Sequence, residues 1–160
     1  MRTKKPQLPK VTEHELQRSI VRALEAHGHY VYETTAYRQK GSTGVDKGIP
    51  DLLVSIKRGS ATIAHHLGLE VKRPGRATMF SSHEQKLAWL RGHTLVVTSV
   101  EGALKAVQMT VTSHYPVAGK DIYSASQLYR PSEIARMIDQ LLVKIEIEKA
   151  AKRSERSVRR

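Results

Sequence analysis

The hydrophobic positions of the chain change period several times, and each change marks an element. Leu16, Ile20 and Leu24 recur at helical spacing. Thr12 precedes them as an N-cap, Glu15 completes a capping box, and Gly28 ends the run. The stretch YVYETTAY (30–37) is rich in aromatic and β-branched residues and predicts a strand. A Gly-rich polar loop, GSTGVDKG (41–48), leads to two further strands, DLLVSIK (51–57) and TIAHHLGLEVK (62–72). A basic loop, KRPGRATMFS, follows. Ser81 then caps a helix through Gln85, Trp89 and Leu90 to Gly92, with Glu84 in the reciprocal capping position. TLVVTS (94–99) is a strand and VEGALKAVQM opens another helix. Residues 110–130 carry no decisive pattern. From about Ser132 the stripe Ile134, Met137, Ile138, Leu141, Leu142 and Ile145 predicts a long helix, and KAAKRSERSVRR closes the chain as a basic tail.

The expected class is α/β, with a core in the order α-β-β-β-α-β and a C-terminal helical extension. Its parts are a flexible basic arm (1–11), a core (12–109), a connecting segment (110–130) and a C-terminal helix with its tail (131–160). The apolar helix stripe needs cover, either from its own domain or from a second copy. We expect a homodimer through it.

Alternation sets the faces of the two central strands. Leu52, Val54 and Ile56 share one face of the first, and Asp51 belongs to the other. Leu67, Leu69 and Val71 share one face of the second, with Glu70 and Lys72 opposite, roughly 7 Å apart along the strand. Pro50 has no N–H and belongs at a strand start, which puts Asp51 at the strand entrance. Paired as a hairpin, the strands bring Asp51 beside Glu70. Two adjacent carboxylates repel, and a divalent cation removes that cost. Mg²⁺ and Mn²⁺ suit an oxygen-only site. The simpler alternative makes Asp51 a turn cap, and Glu70 and Lys72 a solvated pair on a half-exposed strand.

The first helix offers a third carboxylate. Glu13 precedes Ile20 by seven residues and falls on the buried stripe, while Glu15 falls outside and serves the cap. Gln17 also lies near the inner face. Gln85 stands one turn before Trp89 and points to the edge of the same site.

Charge sharpens the picture. Lys and Arg number 27 against 15 acidic residues, a formal net charge of +12, which favours a polyanionic partner. Nucleic acid is the first candidate and an anionic membrane surface the second. Cysteine is absent from the sequence, which excludes disulfides and thiolate zinc sites. No apolar run reaches bilayer length, and the basic N-terminus lacks the apolar core of a secretory signal. The expected location is the cytoplasm of a bacterial or phage-infected cell, with no membrane partner.

"PD" at 50–51 and "EVK" at 70–72 resemble the PD-(D/E)xK nuclease motif. The blocks TEHELQRSIVRALEAHG, GIPDLLV, LEVKRPG and HEQKLAWL, in that order, resemble a stand-alone VRR-NUC domain over about residues 12–107. That resemblance implies a restriction-endonuclease-like core and a metal-dependent DNA endonuclease. It makes Asp51 and Glu70 ligands of Mg²⁺ or Mn²⁺, the Val71 carbonyl an extra ligand, and Lys72 the catalytic lysine. Glu13 matches the helix-one Glu, acting on the metal directly or through water, and Gln85 the Gln after the ExK strand. The interval from Asp51 to Glu70 is long for the pattern, with TIAHH inserted before LGLEVK. The resemblance also implies branched DNA, such as four-way junctions or flaps, as substrate, in a repair role, and a homodimer acting on it. Lys40, Lys47, Arg73 and Arg76 are the expected phosphate contacts near the site, joined by Lys152, Arg153 and Arg156 from the tail.

Overall fold

A computed structural model describes residues 11–34, 48–58, 61–112 and 119–158. The first helix, α1 (Glu13–Ala26), opens with the expected capping box. Thr12 Oγ1 accepts from the Glu15 N–H at 3.2 Å, and the Glu15 carboxylate accepts from the Thr12 N–H at 2.8 Å. Ile20, Val21 and Leu24 form its buried stripe together with Gln17. The chain leaves the helix through Gly28, whose φ of 82° suits a residue without Cβ.

Three strands follow: β1 (Tyr30–Glu33), β2 (Leu52–Arg58) and β3 (Ala61–Val71). Then come α2 (His83–Leu90), β4 (Thr94–Val97) and α3 (Val100–Thr112). Helix α2 is capped one residue later than expected. Ser82 Oγ accepts from the Gln85 N–H at 3.1 Å. Ser81 is displaced from that role because its hydroxyl donates to the Gln85 side chain. The segment without a decisive pattern supplies β5 (Ile122–Tyr123) and the single turn α4 (Ala125–Leu128). Helix α5 (Pro131–Val158) continues through most of what reads in sequence as a tail.

The strands form one mixed sheet in the order β1-β2-β3-β4-β5. Only β3 and β4 run parallel, and the other neighbours are antiparallel. The fold is thus α/β, with helices on both faces of a mixed five-stranded sheet. Every residue of β4 is buried, as the continuous run TLVV demands of a strand covered on both sides. Leu95 and Val97 join Leu52, Val54, Ile56, Leu69 and Val71 in a cluster with α1 and α3. Val96 points the other way, to a second cluster of Trp89, Leu90, Ala125 and Leu141. Trp89 centres that layer: its Nε1–H donates to the Tyr123 carbonyl, and its ring contacts Phe80 and Tyr129.

The α5 stripe closes this second layer. Leu141 and Ile145 are buried, and Ile134, Met137 and Ile138 pack against the Trp89 cluster. Of the six stripe residues only Leu142 stays largely outside. The cover comes from the chain's own α2 and α4, so the stripe gives no ground for the expected dimer. No helix among the described residues is long and apolar enough to cross a membrane.

This packing separates neighbouring residues of α5. Leu141→Ala should lower stability by about 2–5 kcal/mol. Val143→Ala, on the exposed face, should change it by about 0.5 kcal/mol or less. Urea unfolding of the two variants checks the ranking, and equal losses would contradict the packing described.

Candidate active site

Asp51 is set by the backbone around it. Thr34, directly after β1, donates its N–H to the Asp51 carbonyl at 3.0 Å, and its hydroxyl donates to the Pro50 carbonyl. The antiparallel register pairs Leu52 with Leu69, so one step further along the ladder Asp51 faces Glu70. The Asp51 Oδ2 accepts from the Val71 N–H at 3.0 Å. Pro50 needs room that only glycine leaves: a Cβ on Gly68 would come within 3.0 Å of both the Pro50 ring and the His93 carbonyl.

Glu70 and Lys72 are not the solvated pair of the simpler alternative. Glu70 is 1% exposed and Lys72 6%. Glu70 is the register partner of Val96, whose side chain belongs to the second layer, so this end of β3 is covered rather than open. The Lys72 N–H extends the parallel ladder by donating to the Val97 carbonyl at 3.0 Å. Its Nζ lies 2.7 Å from Glu70 Oε1 and 3.6 Å from Glu13 Oε1. Glu13, at the start of the α1 inner face, is about half exposed, less buried than its place on the stripe implied.

The electrostatics follow from this crowding. Burial, and then the neighbouring Asp51 carboxylate, push the Glu70 carboxyl up to about 7, against the opposing pull of Lys72. For Lys72, burial disfavours the charged form, but the Glu70 hydrogen bond and the charges of Glu70, Glu13 and Asp51 outweigh it and hold the ammonium above its usual range. Lys72 is therefore a cation at neutral pH. It can donate hydrogen bonds and stabilise negative charge.

The structure brings Asp51, Glu70 and Lys72 together, with Val71 between the last two, and Glu13 meets this group through Lys72. Gln85 is buried on α2, where its side-chain oxygen accepts from Ser81. Arg73 is half-buried and Arg76 exposed in the loop that leaves Lys72. Lys152, Arg153 and Arg156 are exposed on the last turns of α5, which are helix rather than tail. Lys40 and Lys47 lie outside the described residues. Glu15 is occupied by the cap. Sequence reasoning missed Thr34, a polar residue in the middle of the strand-like run 30–37 with no signal of its own, and the bond from Gln17 Nε2 to Glu33 Oε2 at 3.3 Å.

No family model, curated protein or solved structure matches the chain. What the site can do rests on its own residues.

Among the described residues no three acidic or histidine side chains converge as a ready metal cage. Two adjacent buried carboxylates do fit Mg²⁺ or Mn²⁺, which take oxygen ligands and keep several waters. Lys72 already supplies Glu70 with positive charge, and a cation beside Asp51 would supply the rest.

The raised Glu70 carboxyl has a stability consequence. Its folded pKa lies above the ordinary carboxyl value of 4.5, so its contribution is fully present below pH 4.5 and lost as pH rises through about 7. The metal-free protein should lose on the order of 3 kcal/mol over that window relative to Glu70→Gln, which has no carboxyl to ionise. Mg²⁺ should restore the loss above pH 7. Denaturant midpoints from pH 5 to 8, with and without Mg²⁺, test both signs. Parallel pH profiles for the two proteins would contradict the assignment.

Proposed function

We propose that the protein is a divalent-metal-dependent DNA endonuclease with a restriction-endonuclease-like core. The observation that carries this reading is the buried pair Asp51–Glu70 with Lys72 held between Glu70 and Glu13. Buried like charges are costly to keep in a structural role, and a hydrolytic metal site gives them one. The order of elements, with carboxylates at the paired ends of β2 and β3, agrees with the PD-(D/E)xK resemblance.

Asp51 and Glu70 would hold the cation, with the Val71 carbonyl as a further oxygen donor. Bound there, Mg²⁺ or Mn²⁺ supplies Lewis acidity toward the scissile phosphate and a more acidic water. In the reaction a water oxygen bonds to phosphorus, the bond from phosphorus to one deoxyribose oxygen breaks, and that oxygen leaves with a proton. The Lys72 ammonium donates to the phosphoryl oxygens where negative charge builds. Glu13, half in solvent at the site's mouth, orders water next to Lys72. Gln85, braced by Ser81, shapes the inner wall.

The net charge of +12 favours a polyanion, and Arg73 and Arg76 extend directly from the site as phosphate contacts. The last turns of α5 carry Lys152, Arg153 and Arg156 as a second contact region. We propose branched DNA as the substrate class, four-way junctions or flaps. A homodimer would match the two-fold symmetry of a junction, and its interface would use a surface other than the covered α5 stripe.

Two predictions follow the roles. Asp51→Asn and Glu70→Gln should each abolish Mn²⁺-dependent nicking of labelled DNA, while binding in EDTA is kept or tightened because negative charge is removed. Full nicking by either variant would sink the metal site. Separately, Glu13→Gln should cost at least about tenfold in cleavage rate, in the range of a lost general-catalysis contact. Glu15→Gln should leave the rate unchanged and cost about 1 kcal/mol or less in stability, because it touches only the cap. Single-turnover rates of the two variants, measured side by side, decide the ranking.

A further inference from the structure

The sheet face that carries Asp51 and Glu70 is covered unevenly. Over β4, α2 packs on it through Trp89 and Leu90 around Val96. At β3 the ring of Pro50 sits over Gly68, where a Cβ would come within 3.0 Å of it. Beyond Pro50, toward the edge strand β1, the face opens. The register lays Tyr32 beside Leu53, and Tyr30 beside Ser55 and then His66. Val31, between the two tyrosines, pairs with Val54 and packs into the core on the opposite face, so both phenol rings point away from α1. Tyr30 is 67% exposed, Tyr32 45% and Leu53 38%, and His66 is exposed as well.

One exposed tyrosine on a strand needs no explanation, since the ring suits a pleated surface. Two on the same strand face, with an exposed leucine in the next row, make a patch. Its extent decides what can cover it. The three side chains present roughly 300 Å², taking 150–250 Å² for a whole aromatic side chain. Each partner of a stable dimer contributes about 800 Å². The patch falls well short of that, and it suits two or three small planar groups. The two ring centroids are 6.0 Å apart and the planes are tilted by 50°. A third ring does not fit between them, because it needs roughly twice the base rise of 3.4 Å. Each tyrosine therefore offers its outer face to a group of its own.

Charge and position say which groups. Tyr30, Tyr32, Leu53, Ser55 and His66 include no acid, and the chain carries a net charge of +12, so a polyanion meets no repulsion from these side chains. Leu53 follows Asp51 by two residues on the same face, roughly 7 Å along the strand. A polynucleotide with one phosphate at the carboxylates thus lays its neighbouring nucleotides over Leu53 and the tyrosines. Paired bases are stacked inside the duplex and cannot lie on a sheet. Unpaired bases can, and stacking on aromatic side chains of an open sheet is a common way to hold them.

We propose that the open sheet face of Tyr30, Tyr32 and Leu53 binds unpaired nucleotides next to the cut site, which makes flaps and splayed arms, rather than fully paired four-way junctions, the substrates of this site. The inference rests on the DNA-binding half of the function above but not on cleavage.

Fluorescence anisotropy in EDTA tests it on the full chain, with labelled oligo-dT, a flap and a fully paired duplex. The double variant Tyr30→Ala, Tyr32→Ala should weaken oligo-dT and flap binding by at least about tenfold, the scale of one lost base stack. Its binding of the paired duplex should stay at the wild-type level, which also shows that it folds. Tyr30→Phe with Tyr32→Phe keeps the rings and should keep the affinity. In the wild type, photo-crosslinking of oligo-dT carrying 5-iodouracil should place adducts on Tyr30 or Tyr32. Unchanged oligo-dT binding by the alanine variant, an equal loss on the paired duplex, or adducts at neither tyrosine each overturns the proposal. So does a wild-type dimer in sedimentation that the alanine variant turns into a monomer, since a second copy then covers the patch. A parallel incubation with Mn²⁺ separates the two readings. Tyrosine-dependent oligo-dT binding without any nicking overturns the nuclease and leaves the patch, and nicking without tyrosine-dependent binding overturns the patch alone.

Discussion

A lysine ammonium wedged against a buried glutamate is the contact on which this molecule's chemistry depends. Glu70 is almost wholly out of water and faces a second carboxylate. An uncompensated charge there would cost several kcal/mol, enough to threaten a small domain. Lys72, at 2.7 Å, makes the arrangement tolerable, and it is itself kept charged by the acids around it. Glu70 and Lys72 are each shifted by their neighbours, the Asp51 carboxylate among them.

The surrounding fold serves that contact. Thr34 holds the backbone at Pro50 and Asp51, the Val71 N–H holds the Asp51 carboxylate, and the parallel ladder to β4 carries Lys72 one residue past the strand end. Gly68 leaves the space that Pro50 fills. The second helical layer, built on Trp89 and closed by α5, covers the face of the sheet to which Glu70 belongs. On an open face Glu70 and Lys72 would be an ordinary surface pair of little consequence. The residues outside the resembling blocks, from Ile122 to Ile145, therefore contribute to the site's character although none of them lies in it.

The same layer leaves a cleft between the start of α2 and the middle of α5. Helix α5 packs on α2 through Leu141 and Ile145, but its next turn is tied to α2 by the polar pair His83–Glu148. The two helices are thus joined by apolar contact at one level and by charge at another, and the opening between those levels is lined by both kinds of group. Beyond Glu148 the residues of α5 through Ser157 are all exposed, so the basic end of the helix stands clear of the core.

The local choices were legible in the chain because they rest on short-range physics. Thr12 and Glu15 announce a cap, the alternation in DLLVSIK and LGLEVK puts Leu52 and Val54, and Leu69 and Val71, on shared faces, and TLVV reads as a strand. Pro50 fixed Asp51 at a strand entrance, and the hairpin then brought it to Glu70. What the chain could not declare was set by distant packing. Burial of Glu70 and Lys72 is a property of the assembled sheet and its cover: Glu70 sits beside Val96 of β4, and Lys72 meets Glu13 of α1. Two-residue β5 carries too short a pattern to be seen and exists because β4 offers it an edge. The apolar stripe of α5 is the clearest case. Sequence alone determined that it had to be covered, because so many apolar side chains on one helix face are unfavourable in water. Whether its own domain or a second copy would cover it was decided only by how the helices pack, since the hydrophobic effect rewards burial without specifying the partner.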